Sequence, residues 1–120
     1  MAVRAMHPGP GRTMKPPPPS TLHLQTRFAD ESARLLWGRY GDGRASLTFL
    51  TLDGEPLLVA TVERPEAGLA ADECLIKDWG GNRGMLDFLL DAGLVERTGR
   101  SVPIGLHHRA EVCRWLVRIP

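Results

Sequence analysis

One stretch constrains the fold more than any other: Cys74 to Arg100, CLIKDWGGNRGMLDFLLDAGLVERTGR. It starts with an apolar run too short for a helix, Cys74 to Lys77, which reads as a strand. Asp78-Trp79-Gly80-Gly81 follows as an irregular turn. Asn82 is then a good helix N-cap, and Met85, Leu86, Leu89 and Leu90 recur as one apolar stripe. Asp87 and Asp91 fall on the opposite face of that helix. Gly93 supplies the left-handed residue that closes helices, and Leu94 can fold back onto the last turn. The pattern predicts one principal helix over about 82–93, entered from a strand and left into another.

The rest of the chain reads mostly as strand. Thr21–Phe28 alternates loosely, with Leu22, Leu24 and Thr26 on one side. Ala33–Tyr40 fits either a helical turn capped by Asp30-Glu31-Ser32 or a strand turning at Gly41-Asp42-Gly43. The meander that follows favours the strand. Ala45–Leu52 ends at Asp53-Gly54, a strong two-residue hairpin signal. Leu57–Glu63 is apolar on both faces, which suggests a central strand covered by the helix. Pro65 breaks it, and Glu66–Asp72 reads as a loop with at most one helical turn. Ser101–Leu106 and Glu111–Ile119 complete the strands, with His107-His108-Arg109-Ala110 as a polar hairpin tip. The expected class is α+β: an antiparallel β-meander sheet packed against one principal helix.

Composition sets the boundaries. Residues 8 to 19 hold six prolines and two glycines, so 1–20 reads as a disordered, proline-rich basic arm and 21–120 as a single domain. The arm carries Arg4, Arg12 and Lys15 and no acid. The body retains 12 Lys plus Arg against 14 Asp plus Glu, about −2 in net charge. That balance is a poor footprint for a dedicated nucleic-acid binder. The arginine-heavy basic set, with Lys15 and Lys77 as its lysines, reads as genomic base composition. Met6 and Met14 leave the start of translation open. No apolar leader or membrane-length segment is present, and Cys74 and Cys113 sit in apolar contexts. A cytoplasmic protein with two reduced, buried thiols is expected, with no membrane partner.

Several short elements resemble a family of small uncharacterised domains found in proteins of bacterial phages, plasmids and other mobile elements. They are Gly54-Glu55-Pro56, Lys77-Asp78-Trp79, Gly81-Asn82-Arg83-Gly84-Met85-Leu86, Thr98-Gly99-Arg100, Gly105 and Cys113-Arg114. The match spans about residues 45–115. It departs at Trp79, where the family has Tyr, at Gly81, where it has Glu, and at Glu63-Arg64, where it has Asn-Leu. The resemblance implies a fold and a bacterial mobile-element setting, but no reaction, because the family has no established activity.

The motif search returns little chemistry. Gly80-Gly81-Asn82-Arg83-Gly84 could present N–H groups to an anion, but the lysine of a phosphate loop is missing. His23, His107, His108, Cys74 and Cys113 lack metal-ligand spacing, so no metal or cofactor is expected. Cys113 with His107 or His23 is the nearest approach to a nucleophile–base pair, and nothing in its surroundings would lower its pKa beyond the adjacent Arg114. Asp87 and Asp91 read as a solvated helix face. No catalytic residue is assigned.

Two binding readings remain, neither enzymatic. One is a protein-interaction domain using the turn and the C-terminal strands, with Lys77, Asp78, Trp79, Asn82, Arg83, Arg100, Arg114 and Arg118 as candidate contacts. Trp79 leads this group, because an exposed Trp in a Gly-flanked turn is a common anchor. Its alternative is a plug for the end of the core. The second reading is a nucleic-acid-associated or defence-modulating accessory protein that uses the C-terminal arginines. A homodimer through a strand edge is left open.

Overall fold

The computed structural model describes residues 15–120. Among these residues the class is α+β as expected, with eight antiparallel strands divided between two four-stranded sheets and one α-helix at the join. In chain order the strands are β1 (Thr21–Gln25), β2 (Asp30–Arg39), β3 (Ala45–Leu50), β4 (Pro56–Val59), β5 (Thr61–Val62), β6 (Glu73–Ile76), β7 (Val95–Ile104) and β8 (His108–Trp115). The helix α1 spans Met85–Asp91. The first sheet runs β1-β2-β3-β4 and the second β5-β6-β8-β7.

Alternation sets which side of each sheet is apolar. In β3, Ala45, Leu47 and Phe49 are buried while Ser46, Thr48 and Leu50 are half-buried on the other face. Leu24 and Ala33 extend the buried row across β1 and β2. In the second sheet Cys74, Ile76, Cys113, Trp115 and Val95 turn toward the same core. The two inner faces meet there, and α1 closes the end with Met85, Leu86 and Leu89. Edge-on aromatic pairs bridge the layers: Trp37 to Trp115 at 5.0 Å and Phe49 to Phe88 at 5.8 Å between centroids.

The segment expected to be one central strand over Leu57–Glu63 instead divides at Ala60. The N–H of Ala60 donates to Leu47 O of the first sheet at 2.8 Å, while its carbonyl accepts from Lys77 N of the second at 2.9 Å. β4 and β5 are therefore edge strands of different sheets. The two-sided apolar pattern arises because the chain changes sheet, not because the helix covers it.

The helix is also entered differently. Asn82 lies in a 3-10 turn, Gly80–Asn82, and the residue at the helix N-cap is Gly84, with φ 96°. That conformation suits Gly, and a Cβ there would meet Arg27 N of the β1–β2 turn at 3.1 Å. Asn82 is not the cap because its side chain is buried and donates to Val59 O at 2.6 Å. The capping carboxylate is Asp78, whose Oδ1 accepts from Gly84 N and Leu86 N, both at 3.0 Å. The other end is as expected. Gly93 has φ 73°, its N–H donates to Leu90 O, and Leu94 N donates to Leu89 O, the Schellman pattern.

Two further expectations change. The last hairpin turns at Gly105-Leu106-His107, and His108 already belongs to β8. Residues 15–20, assigned to the arm by composition, are tied to the body. Arg118 N donates to Pro16 O at 2.7 Å, Leu35 N to Ser20 O at 3.1 Å, and Lys15 Nζ to Trp115 O at 2.8 Å. The remainder of the proposed arm, 1–14, lies outside the described residues.

Candidate interaction surfaces

The residues singled out by sequence separate into those the fold uses and those it leaves free. Asp78 and Asn82 hold the turn that carries α1, as above. Trp79 is half-buried and stacks on His108, with centroids 5.1 Å apart and planes 9° from parallel. It joins Val62, Ala67, Val102 and Ile104 around a second buried cluster of Leu69, Leu75, Ala110 and Val112. This cluster is the outer face of the second sheet, covered by the loop that follows β5. Its 3-10 turn, Pro65–Ala67, and Leu69 reach across the sheet. Trp79 thus packs at the rim of this second cluster.

Of the C-terminal arginines, Arg114 lies on that outer face. Opposite pairs Glu73–Arg114 and Leu75–Val112 place Arg114 in line with the second cluster. Arg114 binds Glu96 at 3.0 Å and lies 3.5 Å from Asp72. Arg100 Nη2 donates to the Glu73 carboxylate, which also accepts from Ala70 N at 2.8 Å. Glu73 is buried, with only 4% of its surface exposed. The Arg100 hydrogen bond, then the Ala70 N–H, hold its carboxyl below the usual range despite the burial. Arg97 pairs with Glu111 in turn. The charges at 73, 96, 100 and 114 thus neutralise one another within the sheet. Lys77, Arg83 and Arg118 have no ion pair among the described residues.

The thiols are inert by environment. Cys74 and Cys113 face each other across β6 and β8, both free and buried in the sandwich. Burial pushes the Cys113 thiol up to about 11 and Cys74 further still. His23 is exposed and lies against Asp30 in the first sheet, whereas both cysteines belong to the second. Among the described residues no group of three or more His, Cys, Asp or Glu is arranged to hold a metal. No described helix is long and apolar enough to cross a membrane.

The surface that sequence reading missed is the outer face of the first sheet. Leu36 on β2 lies opposite Thr48 on β3, and Thr48 opposite Val59 on β4, so the three form one row across the sheet. Arg34, Leu50 and Pro56 form the next row. Leu36 is 51% exposed and Val59 46%, and Leu52 in the adjoining turn is 56% exposed. None of the three belongs to either buried cluster. Period-two alternation does signal this face in β3. In β2 and β4 the apolar residues on both sides hid it.

No family model, curated protein or solved structure matches this chain.

Proposed function

We propose that this chain is a non-enzymatic protein-interaction domain that docks its partner on the outer face of the first sheet. The observation that carries the reading is the Leu36–Thr48–Val59 row, exposed on a rigid sheet while the equivalent face of the second sheet is packed under its own loop. Clustered apolar side chains on an ordered sheet mark contact sites more often than isolated ones do. The reading moves the contact away from Asp78, Trp79 and Asn82, whose polar and aromatic groups have partners within the fold. The ion pairs of Arg100 and Arg114 favour a protein partner over nucleic acid, because paired arginines release few counterions on binding a phosphate backbone. A bacterial mobile-element setting and a cytoplasmic location rest on the sequence resemblance and composition.

The test is affinity capture from the native host with three forms of the chain: wild type, L36D/V59D and W79A. A protein captured by wild type and W79A but lost with L36D/V59D supports the reading. Loss with W79A alone, from a folded variant, returns the contact to the turn. Salt-sensitive retention on DNA or RNA that disappears with R118A would replace it with the nucleic-acid reading.

A further inference from the structure

Strand edges offer a second kind of surface, and the four among the described residues are not equivalent. β4 opens on Pro56, carries a bulge, and has its Val59 carbonyl occupied by Asn82. β5 has two residues. β7 holds Pro103 and a bulge between Arg97 and Ser101. These are devices that blunt an edge against pairing. β1 has none of them: its sequence is Thr-Leu-His-Leu-Gln, with no proline, lysine or bulge.

The hydrogen bonds at either end of β1 fix which way its backbone points. Ser20 O accepts from Leu35 N, and Thr26 N donates to Ala29 O, in the same register as the strand. Even-numbered residues therefore bond to β2, and Thr21, His23 and Gln25 point their N–H and C=O groups away from the sheet. The next outward N–H in the series, Arg27, already has a partner in Arg83 O at 2.9 Å. The segment entering α1 thus forms one rung of an added strand, and then the helix turns aside. Beyond it lies an open groove of about 460 Å³ between β1 and α1, lined by His23, Gln25, Thr26, Asp87, Phe88 and Asp91. Asp87 and Asp91 are exposed along its helical wall, and neither has an ion pair among the described residues.

We propose that the β1 edge is a docking site for an extended cationic segment of a partner protein, which adds a fifth strand to the first sheet and directs alternate basic side chains at Asp87 and Asp91. The main chain of the incoming segment bonds to Thr21, His23 and Gln25. Its period-two alternation presents every second side chain to the helix wall, where the two carboxylates select Lys or Arg. The site is separate from the Leu36–Val59 face and stands or falls independently of it.

The test titrates the full-length chain at low ionic strength with an acetylated peptide of sequence KTKVKTKV, its ETEVETEV counterpart and a version with a central proline, followed by amide NMR. Binding of the lysine peptide should shift and protect the amides of Thr21, His23 and Gln25. The glutamate peptide should bind at least about tenfold more weakly, and the proline peptide likewise. Asp87→Lys with Asp91→Lys, both on the exposed helix face, should reverse the charge preference while leaving the fold intact. Gln25→Pro, which removes an outward N–H, should abolish protection at the edge. Equal binding of the two charged peptides, or shifts confined to Leu36 and Val59, would overturn the proposal. So would a concentration-dependent dimer that Gln25→Pro dissolves, because a second copy would then be the occupant.

Discussion

The two sheets present opposite solutions to the same problem. Each turns one face into the shared core and must do something with the other. The second sheet covers its outer face with the loop after β5, Trp79 and His108, and ties its polar end with Glu73, Arg100 and Arg114. The first sheet leaves Leu36 and Val59 in solvent. A covered face commits its side chains to stability, whereas an open one leaves them accessible. Three of the residues most conspicuous in sequence, Trp79, Arg100 and Arg114, lie on the covered side, where the fold has already used them.

The comparison breaks most readily at the covered face. Leu75→Ala removes the fully buried centre of its cluster and should cost about 2–5 kcal/mol in urea denaturation. A cost near zero would mean that the cover is loose and the two faces are alike. Glu73→Gln should cost about 1–3 kcal/mol, since a charge-assisted acceptor is lost beneath two arginines. The pH dependence follows in sign. Glu73 is held below its ordinary value of 4.5, so its contribution is complete above that value and fades as pH falls through its lower folded value. Urea midpoints from pH 7 to pH 3 should decline, and Glu73→Gln should flatten part of that decline.

Smaller effects sharpen the contrast. Trp79→Ala should cost about 1–2 kcal/mol through lost stacking on His108 and lost cover, without changing partner binding. Asp78→Ala should cost about 1 kcal/mol by uncapping α1, read from the same denaturation curves. At the open face, Leu36→Ser should change stability by no more than about 0.5 kcal/mol. It should nevertheless weaken a partner complex measurably by calorimetry. A large stability loss there would show that Leu36 already serves the fold.

Much of the fold was legible. The strand-rich α+β class, the hairpin at Asp53-Gly54, the apolar stripe of α1 and its closure at Gly93 all follow from local periodicity and turn chemistry. Both thiols are buried, as their apolar neighbours implied. Less could be read at the site. Asn82 has the composition of a cap, but its amide goes to Val59 O, 23 residues away in sequence. Asp78 caps from six and eight residues upstream, a spacing outside the usual cap rules. Arg100 and Arg114 read as a basic face because Glu73 and Glu96 become their neighbours only when β6, β7 and β8 align.

The sequence alone determined which residues can be strand, helix or turn, because alternation, the 3.6-residue stripe and glycine's tolerance of positive φ are local properties. Only the tertiary structure decided that the strands divide between two sheets at Ala60, since one residue there bonds in both directions to partners 13 and 17 positions away. It also decided which apolar rows are covered. Exposure depends on what packs above a face, and the strand's own alternation holds no information about that. The Cys74–Arg100 run is therefore the support of the molecule, and the open surface lies on the strands before it.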